Sequence, residues 1–278
     1  MNSRRVRKGL LWIAEHALLV ALAVIFIVPI VFIVLTSFMS PSQTFTGSFW
    51  PDPWNWQNYV DAFKQVPLAT WFANSFMYAL LATVFMLVSS VPAAYVLAKV
   101  RIRFANVIFF AVVVAMLLPP QVTIVPIYIM WAQLGLTGTL WPLILPMLLG
   151  DAFSVFLLRQ FLVTIPNEYI DAARIDGNGE FGVLSRIIVP MGRPGIAAAA
   201  IFLFFHAWSD YFGPLLYASE NPSNWPAAYG LAVFHGTRGT NWGMTMTVTV
   251  LLSVPVVIVF FFAQRVFVEG ITLTGVKG

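Results

Sequence analysis

The sequence predicts an all-α integral membrane protein. It is to have six transmembrane helices, cytoplasmic N- and C-termini, and one large inner loop between the fourth and fifth helices. Three observations carry this reading. Of 278 residues, 60% are hydrophobic and 9% charged, against roughly 45–50% and about 25% in soluble domains. The mean hydropathy is +0.85. Six apolar runs are each long enough to cross a hydrocarbon core of ~30 Å, which takes about 20 helical residues. Finally, with the first residues placed inside, thirteen of the fifteen Lys and Arg fall on the inner side, as the positive-inside rule requires.

The spans are expected near 11–38, 70–98, 105–131, 139–160, 194–217 and 244–266, together forming a single transmembrane domain over 1–278. They are expected to be helical, because backbone groups in hydrocarbon must bond within their own segment. Period-two alternation, the mark of a barrel strand, is absent. The inner segments carry Arg4, Arg5, Arg7 and Lys8; Lys99, Arg101 and Arg103; Arg159, Arg174, Arg186 and Arg193; and Arg265 and Lys277. Lys64 and Arg238 lie outside. An odd number of spans spoils this division. The opening SRRVRKG is read as a cytoplasmic anchor, since the apolar run after it exceeds a signal h-region of roughly 7–15 residues.

Two outer segments are long. Residues 39–69 contain Trp50, Trp54 and Trp56 among prolines, and 218–243 contain Trp225, Tyr229, His235 and Trp242. Interfacial anchoring accounts for much of the tryptophan. The remainder offers a docking surface outside the membrane.

The inner loop, 161–193, holds the stretch EYIDAARIDGNGE at 168–180. In so apolar a chain it gathers Glu168, Asp171, Asp176 and Glu180 around Arg174. Thr164 and Pro166 suit a helix start. Gly177 suits a left-handed C′ position, and Asn178 suits the cap of a second helix, 179–189, stopped by Pro190. By spacing, Tyr169, Ala172, Ala173 and Asp176 share one face of the first helix, flat at its two alanines. Phe181, Leu184, Ser185 and Ile188 share one face of the second. On physical grounds this helix–turn–helix either receives another protein's groove or lies on lipid headgroups. Four carboxylates weigh against anionic lipid.

Asp171-Ala172-Ala173-Arg174-Ile175-Asp176-Gly177, followed after nine residues by Ile187-Ile188-Val189-Pro190, resembles the EAA loop of ABC-importer permeases. Asp171 replaces Glu and Val189 replaces Leu. QNYVDAF (57–63), FANS (72–75), LPPQVTIVPIY (118–128), FLLRQF (156–161), HAWSDYFGPL (206–215) and TLTGVKG (272–278) extend the resemblance to the binding-protein-dependent carbohydrate-uptake permeases of the MalG type. Ser209 stands where that family usually has Asn.

The resemblance implies that the loop is a coupling helix seated in a groove of a cytoplasmic ATPase. The contacting positions are then Glu168, Asp171, Ala172, Ala173, Arg174, Asp176 and Gly177. Its implied partners are a second homologous permease, two ABC ATPase subunits and an extracytoplasmic solute-binding protein, in a bacterial plasma (inner) membrane. ATP and Mg²⁺ belong to the ATPases, with no cofactor or metal bound by this chain and no nucleic acid among its partners. The cargo it implies is a sugar or oligosaccharide, with glycerophosphate-type or other polar solutes as the alternative.

The residues agree on what the chain lacks. There is no G-x-x-x-x-G-K-[ST] phosphate loop, no cysteine, and no metal-ligand spacing among His16, His206 and His235. No nucleophile–base constellation is visible, so a transport subunit, not an enzyme, is expected. Polar groups inside spans are functional candidates. These are Asn74, Ser75 and Tyr78; Gln121, Thr123 and Tyr128 beyond the breaker Pro119-Pro120; Asp151; and Trp208, Asp210 and Tyr211. A proton-coupled carrier using Asp151 or Asp210 is the rival mechanism. The outer contact candidates are Trp225, Tyr229, His235 and Trp242.

Overall fold

A computed structural model describes residues 2–237 and 241–272, and the side chains of most of them. Every regular element among these residues is helical. In order they are α1 (Asn2–Ser37), α2 (Gln57–Gln65), α3 (Leu68–Lys99), α4 (Ala105–Leu117), α5 (Pro120–Gln133), α6 (Trp141–Ile144) and α7 (Ala152–Val163). Then come α8 (Asn167–Ile175), α9 (Glu180–Val183), α10 (Val189–Met191), α11 (Arg193–Ser209), α12 (Phe212–Tyr217), α13 (Ala227–Thr237) and α14 (Trp242–Thr272).

Four stretches are long and apolar enough to cross a membrane: Lys8–Ser37, Leu68–Lys99, Trp141–Val163 and Trp242–Phe262. Two bent pairs raise the number to six if each is one span: Ala105–Leu117 with Gln121–Gln133, bent 95°, and Glu180–Met191 with Arg193–Ser209, bent 78°. The first bend has the expected cause. Leu118 and Pro119 are extended, and Pro120 opens α5, because proline disfavours helix in the residue before it. The fifth expected span, 194–217, is shorter than foreseen. Its helix ends at Ser209, and Asp210 is extended before α12. The fourth is jointed: a 3₁₀ stretch, Leu145–Leu149, leads to Gly150 at φ +98°.

The chain divides into two compact units, Met1–Pro67 with Val233–Val254, and Leu68–Ala232 with the segment from Pro255. In the first, the end of α1 is held by side chains. Asn58 Nδ2 donates to Ser37 O (2.8 Å) and Met39 O (2.9 Å), and Thr247 Oγ1 donates to Ser37 O at 3.0 Å. These bonds satisfy carbonyls that a helix end leaves without partners. Phe38 packs on Trp56, Trp54 and Tyr59, with ring centres 4.5, 5.1 and 5.1 Å away. The 39–69 tryptophans therefore form a local cluster.

In the second unit the core lies between α3, α7 and α11. Small residues, Ala79, Ala82, Ala94, Ala199 and Ala207, bring the helices close. Such contact matters because lipid tails are as apolar as leucine, so tight packing rather than escape from water drives association. At Gly195 α11 lies close against α7: a Cβ there would lie 2.5 Å from the Phe161 ring. Pro92 stays within α3. Ser89 Oγ lies on the carbonyls of Phe85 and Met86 (both 3.0 Å) and of Met147 (2.6 Å), the last a tie from α3 to the 3₁₀ stretch.

Candidate functional site

The 161–193 loop folds as a two-armed elbow. Its first arm starts later than expected. Thr164 closes α7, donating to Phe161 O at 2.7 Å, and Pro166 precedes α8. The turn is a Schellman motif. Gly177 has φ +84° and its N–H bonds Arg174 O, while Asn178 N–H bonds Ala173 O, both at 3.0 Å; these are the characteristic 5→2 and 6→1 bonds. Asn178 does not cap α9, since Gly179 holds that position. Its Nδ2 instead donates to Ala173 O (3.1 Å) and its Oδ1 accepts from Arg186 (3.3 Å), clasping the turn.

The exposed faces differ from those expected. On α8 the pair Ile170 and Ala173 is buried in the bundle core, and Ala172 is exposed. The two alanines do not share one open face, because Ile170 three residues earlier takes Ala173 inward with it. On the second arm Val183 and Ile188 are buried, and Phe181 and Ser185 are exposed. The reason is a π turn at Leu184–Ile188, in which Val189 N–H bonds Leu184 O. One residue more per turn puts positions five apart on one face. The same turn carries the helix through Pro190 to Met191, so Pro190 does not stop it. The elbow thus presents Ile175 (87% exposed), Phe181 (81%), Tyr169, Glu168, Asp171, Ala172 and Asp176 outward.

Two residues that sequence reasoning treated only as span and topology tie this elbow to α3. Tyr95 Oη donates to Glu180 Oε2 at 2.5 Å. Glu180 Oε1 accepts from Arg174 Nε (3.1 Å) and Nη2 (2.9 Å). One turn beyond Tyr95, Lys99 Nζ donates to Ile165 O (2.5 Å), Asn167 Oδ1 (3.0 Å) and Val163 O (3.3 Å). A cation on the last carbonyls of α7 also suits the helix dipole. The Tyr95 phenol first, and then Arg174, hold the Glu180 carboxyl below its ordinary range. The same pairing with Glu180 raises the Arg174 guanidinium. Between these groups lies a polar cleft of about 420 Å³, with Arg101 and Asp171 on its wall. The i, i+4 spacing of Tyr95 and Lys99 at a helix end was the available signal.

The polar candidates in the spans are mostly engaged. Asn74 Nδ2 donates to Ser223 O (2.7 Å) and Trp225 O (3.0 Å), and fully buried Ser75 accepts from Ala227 N–H at 2.8 Å. Both moor the 221–227 segment to α3. Tyr78 donates to Asp210 Oδ2 (2.9 Å), whose Oδ1 accepts from Gly213 N–H (3.0 Å). Asp151 is the N-cap of α7, accepting from Ser154 N–H at 2.7 Å. Ser90 Oγ accepts the Asp151 N–H at 3.2 Å. A cap, satisfied by backbone, explains a carboxylate at this depth.

Trp208 is buried and stacks on Phe204 at 5.9 Å. Tyr128 stacks on Tyr217 at 6.0 Å. Gln121 and Tyr211 are exposed and Thr123 is half-buried. Of the outer contact candidates, Tyr229 is buried at 5% exposure, edge-on to half-buried Trp225. Trp225 Nε1 donates to Ser219 O at 3.2 Å. Trp242 lines a cleft of about 340 Å³ with Phe32, Met39 and Phe49. The His235 side chain, Arg238 and the last six residues lie outside the described set.

Residues 90–273 match the family model described as "Binding-protein-dependent transport system inner membrane component". The arabinooligosaccharides transport system permease protein AraQ of Halalkalibacterium halodurans is 30% identical over 262 residues, covering 92% of this chain and 93% of that one. The sn-glycerol-3-phosphate transport system permease protein UgpE of Yersinia pestis is 30% identical over 266 residues, covering 92% and 94%. The fold is also that of a chain from a bacterial ABC transporter involved in import of the acidic polysaccharide alginate, with TM-score 0.83, 22% identity and coverage of 95% and 98%. The chain therefore belongs to the binding-protein-dependent transport system inner membrane components, the permease subunits of ABC importers.

Proposed function

We propose that this permease crosses a bacterial plasma membrane six times, with both termini and the 161–193 elbow in the cytoplasm. The two bent helix pairs then each count as one span, with α11 as the crossing part of the second. It pairs with a second permease and two ATPase subunits, and accepts a sugar or oligosaccharide from an extracytoplasmic binding protein. The AraQ likeness supports this cargo. The equal identity to UgpE favours a glycerophosphate-type solute as the second reading.

The observation that carries the reading is the elbow. Its inner residues are locked into the bundle, and its tip offers Ile175 and Phe181 to something outside the chain. Glu168, Asp171, Ala172, Arg174, Asp176 and Gly177 surround that tip as the ATPase contact. ATP and Mg²⁺ reside on the partner, whose closure pushes the elbow. On the membrane side, Gln121, Thr123, Tyr128, Asp210 and Tyr211 are the proposed path, offering hydroxyls, amides and ring faces to a neutral solute. Outside, Trp225 and Trp242 remain the proposed binding-protein contacts, with Tyr229 supporting Trp225 from within.

Purification of the tagged chain from its native membrane tests this directly. A second permease and an ATPase should co-purify, and vesicles containing the complex should accumulate solute only with internal-face ATP and the binding protein. Accumulation driven by a proton gradient without an ATPase contradicts it. Titrating the binding protein with oligosaccharides and with glycerol phosphate separates the two cargoes.

A further inference from the structure

Besides its buried apolar residues, the elbow is joined to the bundle in two ways. One is backbone: α10 runs into α11 through Gly192, where the chain turns 78°. The other is a set of polar side chains converging on the last turns of α3. Tyr95 holds Glu180, and through it Arg174 of α8. Lys99 holds the α7–α8 junction at Ile165 and Asn167. Arg159 of α7 donates to Leu97 O at 3.1 Å.

Stability does not explain the Glu180–Arg174 pair. Arg174 and Glu180 are 36% and 52% exposed along their side chains, and ion pairs so open to water contribute little to folding. Ile170, Ala173, Val183 and Ile188 already seat the elbow. Apolar contacts, however, are non-directional and can slide. A phenol on one carboxylate oxygen and a two-pronged guanidinium on the other fix distance and angle. Both oxygens of Glu180 are used, so the α8 arm cannot shift relative to α3 without breaking a charge-assisted bond.

We infer that Tyr95 and Glu180 are positioning residues of the transport cycle: they pass displacement of the elbow to α3 so that it is not absorbed at the Gly192 bend. The helix α3 is continuous from Tyr95 to Tyr78, about 25 Å along its axis. Tyr78 in turn holds Asp210 at the break between α11 and α12. A push at the elbow thus reaches the outer half of the unit along one rod. This inference rests on the elbow being the ATPase contact.

The test uses the complete purified complex in vesicles, with ATP hydrolysed per solute imported as the readout. Tyr95→Phe removes one hydroxyl from a tightly packed site. The complex should keep its ATPase, and its melting temperature should fall by no more than about 5 °C, the loss that one hydrogen bond brings. The ATP-to-solute ratio should rise by at least about fivefold, the lower end of a coupling between sites. Glu180→Gln, which keeps an acceptor for Tyr95 but loses the Arg174 pair, should uncouple less than Glu180→Ala. Combining Tyr95→Phe with Glu180→Ala should be no worse than Glu180→Ala alone, since both remove the same bond.

An unchanged ratio in Tyr95→Phe overturns the inference, as does multiplication of the two effects. So does a loss of ATPase or of melting temperature that accounts for the lost uptake, since that marks a merely structural bond. Absence of any ATPase from the wild-type complex removes the underlying importer reading instead, and is seen before any variant is made.

Discussion

Tyr78 and Asp210, 132 positions apart, meet in a hydrogen bond of 2.9 Å. The phenol is buried and the carboxylate's other oxygen is on Gly213 N–H. Asp210 is thus the clip that closes the break between α11 and α12 against α3. A bond to a charged acceptor contributes about 1.5–3 kcal/mol. Tyr78→Phe should cost that much and lower the melting temperature of the detergent-solubilised complex. Asp210→Ala should cost more, because it leaves both the phenol and the Gly213 N–H unmet. Two variants melting with the wild type would remove the clip.

The elbow's turn makes a cleaner backbone prediction. A Cβ on Gly177 meets nothing within 4 Å, yet its φ is +84°. Gly177→Ala should therefore act through strain alone, about 1–2 kcal/mol. Gly177→Asn should act less, as asparagine tolerates this region. Coupled uptake should fall in the order Gly, Asn, Ala, with membrane insertion retained. Equal uptake by all three contradicts the Schellman turn as a working part. Asp171→Lys, which reverses a charge on the exposed rim, should weaken ATPase retention and make it salt-dependent.

Gly195 tests the approach of α11 to α7. Adding a methyl there brings carbon within 2.5 Å of the Phe161 ring, and overpacking costs about 1–3 kcal/mol. Gly195→Ala should destabilise the complex, and should do so less in a chain that also carries Phe161→Ala, which removes the Cγ and Cδ1 that the added methyl meets. Failure of the second change to help would mean that the helices are not in contact at this point.

Asn74 fastens the 221–227 segment to α3 through two carbonyls. Asn74→Ala should raise hydrogen exchange and proteolysis within 219–226, while the elbow's exchange is unaffected. If Asn74 instead touches solute in the path, the variant changes uptake with no change in exchange.

The Ile175 and Phe181 side chains are the most open large apolar groups of the elbow. If they anchor an ATPase, each truncation to Ala should cost about 2 kcal/mol or more of association, as central apolar anchors do. The folded permease should keep its melting temperature. Retained ATPase in the double truncation would place the contact elsewhere.

Much of this was legible in the residues. Composition and the placement of Lys and Arg specified a helical membrane protein, because hydrocarbon permits little else. Pro119-Pro120 announced the bend between α4 and α5, and Gly177 announced the turn, because both act through local backbone sterics. Asp151 shows where such reading stops. A carboxylate inside a span looks functional from its cost, and only the extended backbone of Asp151, after the positive-φ Gly150, turns it into a cap for α7. Ala173 shows the same limit, since a helical wheel gives spacing but not which stripe faces inward.

The sequence alone thus determined the solvent of this chain, its helices and the turn of its elbow, all consequences of neighbours along the chain. The tertiary structure decided what each polar group holds. Tyr95 and Glu180 are 85 residues apart and Ser75 and Ala227 are 152 apart, and no local rule pairs them. It also decided which face of the elbow is open, because a π turn shifts the phase of the second arm by a residue that no periodicity of the sequence reveals.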